Sequence, residues 1–464
     1  MEEKARHDSP KSGPDEIGRR ADPSADRSSN SKFQAYSTYL DHDKWSNKKM
    51  YVTYAAPEKT RQITIDEILE GIVDCQKLKY FGDKTATITV CREDLTPRLK
   101  AITNVNGMIR SLKEFNEKYS ELEKERDMSG HYTHYEIPKK TGGLRPIDAP
   151  DKMLSDALNE LQALLKSFML ADHHTAAHAY VSGRSTLTAI KKHQEGHIRT
   201  KVNKETGKTE TVVYENNWSV KLDFHGFFPS STPEFVYGML SVIYPFALIM
   251  KDPVGHDELT KAMSIVFLRN GLPQGSPLSP WLTNVMMIPF DHLLTRKVRR
   301  GFKMKDGVTR DFTYTRYADD ITISCYLSFD PQEIEDVVKN ILDYIHAPFT
   351  LNEEKTHYGN RHSSKNWILG LMWNQDNEIT VGWRNIKNLK LMLGGYINCK
   401  KAGNPWPIDE VQELNGLISY YKMVEKDRIE TLISRVNEKH GVDVEKMIKA
   451  DLSLKENKEM VSND

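Results

Sequence analysis

Cysteine is scarce in this chain: four residues in 464, Cys75, Cys91, Cys325 and Cys399, with no CxxC pair and no zinc-ligand spacing. That excludes a disulfide framework or a sequence-encoded zinc site and points to reduced thiols in a cytoplasmic protein. Long apolar runs are missing too. None approaches the ~20 residues of a membrane span, and the opening residues lack the apolar core of a signal peptide. The expectation is a cytoplasmic protein with no membrane partner. Charge of one sign is also absent, because 65 Lys and Arg balance 65 Asp and Glu. No global field advertises a nucleic acid, so any such contact must come from local patches. Residues 1–32 contain no aromatic residue, and Met1 and Ile17 are their only large aliphatics. A disordered tail is expected there.

What is present suggests two or three lobes, since the chain is too long for one ordinary core. Apolar residues at helical spacing predict helices over 64–78, with Thr64 as cap, and over 100–126. Residues 131–150 (HYTHYEIPKKTGGLRPIDAP) read as two short strands joined by a Lys/Gly turn, followed by an amphipathic helix over 151–170. A polar exposed hairpin is expected over 199–213, turning at Glu205-Thr206-Gly207. A helix over 330–346 precedes a strand-like Phe349-Thr350-Leu351. The stretch 385–450 is helical and broken at 403–407. There is no internal repeat. Short strands between helices suggest an α+β centre with helical flanks.

One stretch is electrostatically odd. In YTRYADDITIS (314–324) two carboxylates, Asp319 and Asp320, sit between residues that favour a pleated, half-buried strand. Adjacent like charges raise each other's pKa. A surface turn is one explanation, because Asp tolerates left-handed backbone. A divalent cation is the other, because Mg²⁺ takes hard carboxylate oxygens together with substrate phosphates. A third carboxylate, Asp223, ends the alternating stretch WSVKLD, where it reads either as a cap or as a further ligand. Between the two lies NGLPQGSPLSPWLTN (270–284), a Gly/Pro-rich loop entering a helix, with Ser276 or Ser279 expected as its cap. Such a loop is either a rigid turn or a backbone surface that a base can approach closely.

Together these residues carry a resemblance. KLDFHGFFPS around Asp223, LPQGSPLSPWLTN and RYADD resemble, in order and spacing, motifs A, B and C of the reverse transcriptase palm. KKTGGLRPIDAP resembles the fingers motif, LNEEKTHY (351–358) motif D, and WILGL (367–371) the motif E turn. The likeness covers roughly residues 130–425. HAYVSGRSTLTAIKKHQ (178–194) and YTRYADDITIS are most similar to retron and other bacterial reverse transcriptases, including those of phage defence. The chain carries Thr188-Ala189 where many retron enzymes have Asn-Ala before a helical His, and Ile368-Leu369-Gly370 where they have Val-Thr-Gly.

The resemblance implies an α+β right-hand polymerase with fingers, a palm with an antiparallel sheet, and a helical thumb. Its expected divisions are an N-terminal extension and fingers over 33–215, a palm over 216–375 with a helical insertion over 235–270, a thumb over 376–450, and a polar tail over 451–464. It implies an RNA-directed DNA polymerase that adds dNTPs to a 3′-hydroxyl with two Mg²⁺, Mn²⁺ being the alternative ion. Asp223, Asp319 and Asp320 would be the catalytic, metal-holding set. Lys139 (or Lys140), Arg145, Phe228, Gln274 and Lys355 would contact the nucleotide, Phe228 as a steric gate with Phe227 as its competitor. The basic stretches 184–192 and 296–305, with Arg184, Arg299 and Arg300, would track nucleic acid. Trp383, Tyr396, Trp406, Tyr420 and Tyr421 would divide between thumb core and template-primer contact.

Expected partners are a dedicated noncoding RNA template, the DNA product and dNTPs, in an anti-phage setting. An effector protein and self-association remain open. Other readings are an intron-type or host-repurposed enzyme, a protein-primed or untemplated polymerase, and an idle RNA-binding scaffold. No RNase H or endonuclease pattern is read after residue 450, which disfavours the intron version. A scaffold would have no need of clustered carboxylates.

Overall fold

The computed structural model describes residues 49–55, 85–90, 99 and 103–461, with short breaks at 126, 140–141, 203–206, 208, 300 and 364–365. The tail expected over 1–32, the helix expected over 64–78, Lys140 and Arg300 lie outside the described residues.

Strands β1 (Met50–Ala55) and β2 (Thr85–Val90) pair antiparallel. Helix α1 (Val105–Lys118) follows, and β3 (Tyr132–Pro138) and β4 (Leu144–Pro150) form the hairpin read from 131–150. The amphipathic stretch after it is α2 (Lys152–Phe168), whose Leu154 amide is capped by the Asp151 carboxylate at 2.8 Å. Helix α3 (Thr186–Glu195) starts with a reciprocal box between Ser185 and Thr188. Strands β5 (His197–Val202) and β6 (Thr209–Tyr214) flank the turn expected near Gly207.

The central sheet has the strand order β10-β11-β7-β12 and is antiparallel throughout. It is formed by β7 (Trp218–Asp223), β10 (Thr313–Tyr317), β11 (Asp320–Cys325) and β12 (His357–Asn360), the two-residue strands β8 (Phe302–Lys303) and β9 (Thr309–Arg310) making a separate ribbon. From Ile321 to Cys325, β11 is buried on both faces, which is why ITISC carries no exposed alternation. The strand-like Phe349-Thr350-Leu351 contributes one bridge, Leu351 to Phe224, and no longer strand.

The expected insertion at 235–270 is helical: Pro233–Leu240, Phe246–Ile249 and α4 (Pro253–Met263). It is no appendage. Val236, Leu240, Phe246, Leu248, Ile249 and Met263 are buried in the larger of two cores, together with Val220, Ile321 and Ile323 of the sheet. An all-round apolar sequence of this kind is what an interior helix requires.

The Gly/Pro-rich loop leads into α5 (Ser279–Met286) and α6 (Ile288–Val298), and neither serine caps α5. Leu278 holds the cap position with helical backbone angles and no side-chain cap bond, so Ser279 already lies within the first turn. Pro280 in that turn makes a missing N–H tolerable. Helix α7 (Pro331–Tyr344) matches its expected span and is capped by Asp330.

The smaller core joins β13 (Trp367–Ile368), β14 (Leu371–Trp373) and β15 (Ile379–Thr380) to three helices, α8 (Trp383–Lys401), α9 (Ile408–His440) and α10 (Val444–Val461). Leu187 and Ile190 of α3 are buried in it, although they fall within the expected fingers segment. Tyr396 and Tyr421 are core residues, whereas Trp383 is 64% exposed with Lys387 over its ring. Helix α9 kinks at Glu425, whose carboxylate accepts from the Thr380 hydroxyl and the Val381 amide at 2.7 and 2.8 Å. Helix α10 does not stop at 450. It runs on to Val461 through residues of high helix propensity, so much of the expected polar tail is helical. Among the described residues no helix is long and apolar enough to cross a membrane.

Candidate active site

Antiparallel register brings the acidic residues together. Asp223, the last residue of β7, pairs across the ladder with Asp320, the first of β11. Directly opposed residues share one face of a sheet, and like charges there repel. Tyr317 pairs with Asp320, leaving Ala318-Asp319 as a two-residue turn between β10 and β11. Ala318, not an aspartate, takes the left-handed backbone, with φ +57°. The Phe224 amide donates to the Asp319 carbonyl at 3.2 Å and the Asn352 amide to that of Asp223 at 2.8 Å, tying both carboxylate-bearing segments to the same end of the sheet.

Burial raises the Asp319 carboxyl above its ordinary pKa, with Asp223 adding repulsion and Lys355 and Arg145 opposing it. Asp320 is open to solvent on one side. Even so, its carboxyl is pushed up to about 7, first by the protein mass around it and then by Asp319 and Asp223. Lys355 sits in a short 3-10 turn, and its ammonium donates to Asp223 Oδ2 at 2.9 Å, which raises the lysine pKa and holds its proton.

These groups border a cavity of about 870 Å³ lined by Asp223, Asp319, Phe228, Gln274, Lys139, Arg145 and Lys355. The six sequence-predicted nucleotide and metal residues from different motifs thus share one space with Asp319, while Asp320 stands just beside it. Lys139 and Arg145 come from the β3–β4 hairpin, whose turn is closed by the Lys139 amide on the Gly143 carbonyl at 2.9 Å. The Asp148 amide donates to the Gln274 carbonyl at 2.7 Å, clamping the Gly/Pro loop onto that hairpin. Gly275, at φ +123°, is required for this approach, because a Cβ there would lie 2.5 Å from the Asp148 carbonyl oxygen. Phe227 is 3% exposed and stacks on Phe224 at 5.5 Å; Phe228 is only partly buried and faces the cavity.

The donor set suits divalent cations. It consists of carboxylate oxygens crowded until their ionisation is opposed, a condition that a cation's charge reverses. Among the described residues no three His, Cys, Asp or Glu side chains converge as closely as a formed cation cage requires. The expected cluster is instead a pair at the cavity, Asp223 and Asp319, with Asp320 alongside. Lys355 takes one oxygen of Asp223.

Two expected nucleic-acid contacts lie elsewhere. Arg184 donates from Nη1 to the carbonyls of His174, Thr175 and Ala177, so one arm of its guanidinium braces a loop. Arg299 is exposed at the end of α6 and, with Lys192, lines a separate cavity of about 430 Å³. Sequence reasoning could show the charge of Arg184 but not the loop carbonyls that meet it.

It also passed over the buried supports of the site. His193 is fully buried between Ser324 Oγ (2.7 Å) and Thr315 Oγ1 (2.8 Å), and burial drives its pKa down to about 3, so it braces the sheet as a neutral ring. Arg316 and Asp291 form an ion pair with neither side chain exposed. The available signal for that pair was a lone Arg in a strand of Thr and Tyr, and a lone Asp in the apolar IPFDHLL.

Residues 137–376 match the family model described as reverse transcriptase (RNA-dependent DNA polymerase). Among curated proteins, the chain is 24% identical to the retron Mx162 reverse transcriptase of Myxococcus xanthus over 333 residues, covering 68% of this chain and 62% of that protein. It is 25% identical to the retron Ec83 reverse transcriptase of Escherichia coli, covering 69% of this chain and 90% of that protein. The chain therefore spans less than two thirds of the Mx162 enzyme. Among solved structures, telomerase from Candida albicans aligns over 76% of this chain and 60% of its own, at 13% identity and a TM-score of 0.36. A foamy viral protease-reverse transcriptase aligns over 69% and 43%, at 12% identity and a TM-score of 0.30.

Proposed function

Because the chain belongs to the reverse transcriptase (RNA-dependent DNA polymerase) family, we propose that its cleft performs RNA-directed nucleotidyl transfer from a dNTP to a 3′-hydroxyl. The observation that carries this reading is the single cavity joining Asp223 and Asp319 to Arg145, Lys139, Gln274 and Lys355. Carboxylates and cationic donors lining one cavity match the needs of a metal-bound triphosphate.

Asp223 and Asp319 would hold two divalent cations, Mg²⁺ in this proposal, with Asp320 beside them. When bound, such a pair stabilises the attacking and leaving oxygens of an in-line displacement. The residues do the rest. The planar fork of Arg145 suits bidentate contact with phosphate oxygens, and Lys139 adds a point charge. Lys355, kept protonated by its contact with Asp223, is the donor for the departing pyrophosphate. Gln274, fixed through its own backbone to the hairpin, contacts the nucleotide, and Phe228 forms the wall beneath its sugar.

The template we propose is one dedicated noncoding RNA, as part of an anti-phage system. Support comes from the likeness to retron reverse transcriptases and from the basic residues outside the cleft. Sequencing the nucleic acid that copurifies with the protein from cells carrying its native locus should recover one dominant small RNA together with DNA copied from it. Binding should weaken steeply with salt, because phosphate contacts release counterions. Recovery of bulk cellular RNA alone would contradict a dedicated template.

A further inference from the structure

We infer that Arg316 is a positioning residue: its buried guanidinium fixes the left-handed turn that carries Asp319. The inference rests on the reading of Asp319 as catalytic and adds how that residue is held.

The geometry is specific. Arg316 donates from Nε to Asp291 Oδ1 at 2.8 Å and from Nη2 to Asp291 Oδ2 at 2.7 Å. Nη2 also reaches Asn284 Oδ1 at 3.3 Å, and Nη1 donates to the carbonyl of Ala318 at 3.0 Å. The Tyr314 hydroxyl donates to Asp291 Oδ1 at 2.6 Å, so the carboxylate is held from both sides. Asn284 in turn donates to the Ala179 carbonyl at 2.7 Å. The Arg316 backbone is pinned as well, its amide to the Ala176 carbonyl at 2.7 Å and its carbonyl to the His178 amide at 2.8 Å. Two helices, a strand and a loop therefore converge on Arg316, whose Nη1 reaches the one carbonyl oxygen of the turn.

That carbonyl belongs to the residue that needs holding. Ala318 sits at φ +57°, a conformation that an L-residue with a Cβ disfavours. A buried ion pair is weak evidence for stability, since well-packed apolar residues often replace one without loss. What an apolar replacement cannot do is aim a donor at Ala318. Lysine cannot do it either while also serving Asp291, because its ammonium is a point charge without the guanidinium fork. The function left for this pair is to hold the turn, and with it Asp319, at a fixed place on the cavity wall.

The test uses Arg316→Lys, which keeps the buried positive charge opposite Asp291, alone and combined with Ala318→Gly. Glycine populates positive φ as readily as negative, so it lowers the need for the clamp. In Arg316→Lys, hydrogen exchange at residues 317–320 should quicken while β7 stays protected. The turnover number should fall about 10²-fold, the scale on which misplacing a reacting group by an ångström acts. KM for dNTP and RNA affinity should stay within about twofold, the signature of an interaction felt in the transition state. Adding Ala318→Gly should recover at least half of the lost decades in kcat. A merely structural role would lower melting temperature without that recovery.

Unchanged turn exchange with parental kcat overturns the inference, as does a kcat loss that adding Ala318→Gly leaves intact, or one that merely parallels a loss of RNA binding. If Asp319→Ala also spares activity, the catalytic reading fails and takes this inference with it. If Asp319→Ala is inactive while Arg316→Lys behaves as the parent, only the positioning role is lost.

Discussion

Replacing Asp319 and Asp320 together with alanine is expected to abolish dNTP incorporation while leaving the fold and RNA binding in place. Losing the carboxylates proposed to hold the cations would remove several kcal/mol of transition-state stabilisation. At about 1.4 kcal/mol per decade, that is a loss of roughly 10³-fold or more. The fold should survive because neither side chain belongs to an apolar core and the β10–β11 register is set by Tyr314, Ile321 and Ile323 around them. Removing two carboxyls whose ionisation is already opposed relieves repulsion at the turn. Asp320→Ala alone should cost less than Asp319→Ala, since Asp319 borders the cavity and Asp320 stands beside it. Single-turnover primer extension, with melting temperature and RNA affinity measured on the same preparations, separates these effects. Extension near the parental rate in the double variant would refute the mechanism.

The second large effect should come from Phe228. Both Phe227 and Phe228 border the cavity, but Phe228 is only partly buried, whereas Phe227 is 3% exposed and packs on Phe224 and Phe349 with its ring at 80° to that of Phe228. A ring beneath the incoming sugar collides with a 2′-hydroxyl and packs against a deoxyribose, which is discrimination by repulsion. Phe228→Ala should raise kcat/KM for rGTP relative to dGTP by about tenfold or more, because a lost steric clash is worth at least about 1.4 kcal/mol in that ratio. Phe227→Ala should instead open a core cavity and cost about 3–5 kcal/mol of stability, with little change in the ratio. An unchanged ratio in Phe228→Ala would remove the gate and reopen the choice between DNA and RNA as product.

Much of the site was legible because its signals are local. Alternation ending at Asp223, an Asp pair at a hairpin bend, and a Gly/Pro loop before a helix each follow from a few adjacent residues, although the turn proper is Ala318-Asp319 and Asp320 already opens the strand. Antiparallel pairing then does the assembly, placing Asp223 opposite Asp320 across a gap of almost a hundred positions. What escaped depends on partners distant in sequence. Arg184 reads as a basic residue of a charged stretch, yet its guanidinium meets three loop carbonyls. Lys355 reads as a nucleotide-contacting lysine, yet it rests on Asp223. Ser279 looks like a cap, but Leu278 begins the helix with helical angles, and only the backbone reveals that. The segment 235–270 reads as inserted because it separates two motifs, but its apolar residues form much of the larger core. Burial on all sides leaves no periodicity from which to read its neighbours.

The activity proposed for the cleft is templated DNA synthesis. It is tested most directly by extension of a DNA primer annealed to a defined RNA template, with each of the four dNTPs withheld in turn. Every omission should stall the product one nucleotide before the complementary template base, and the Asp319→Ala, Asp320→Ala variant should yield no product under any condition. Extension that ignores the template sequence, or that persists in the variant, would contradict it.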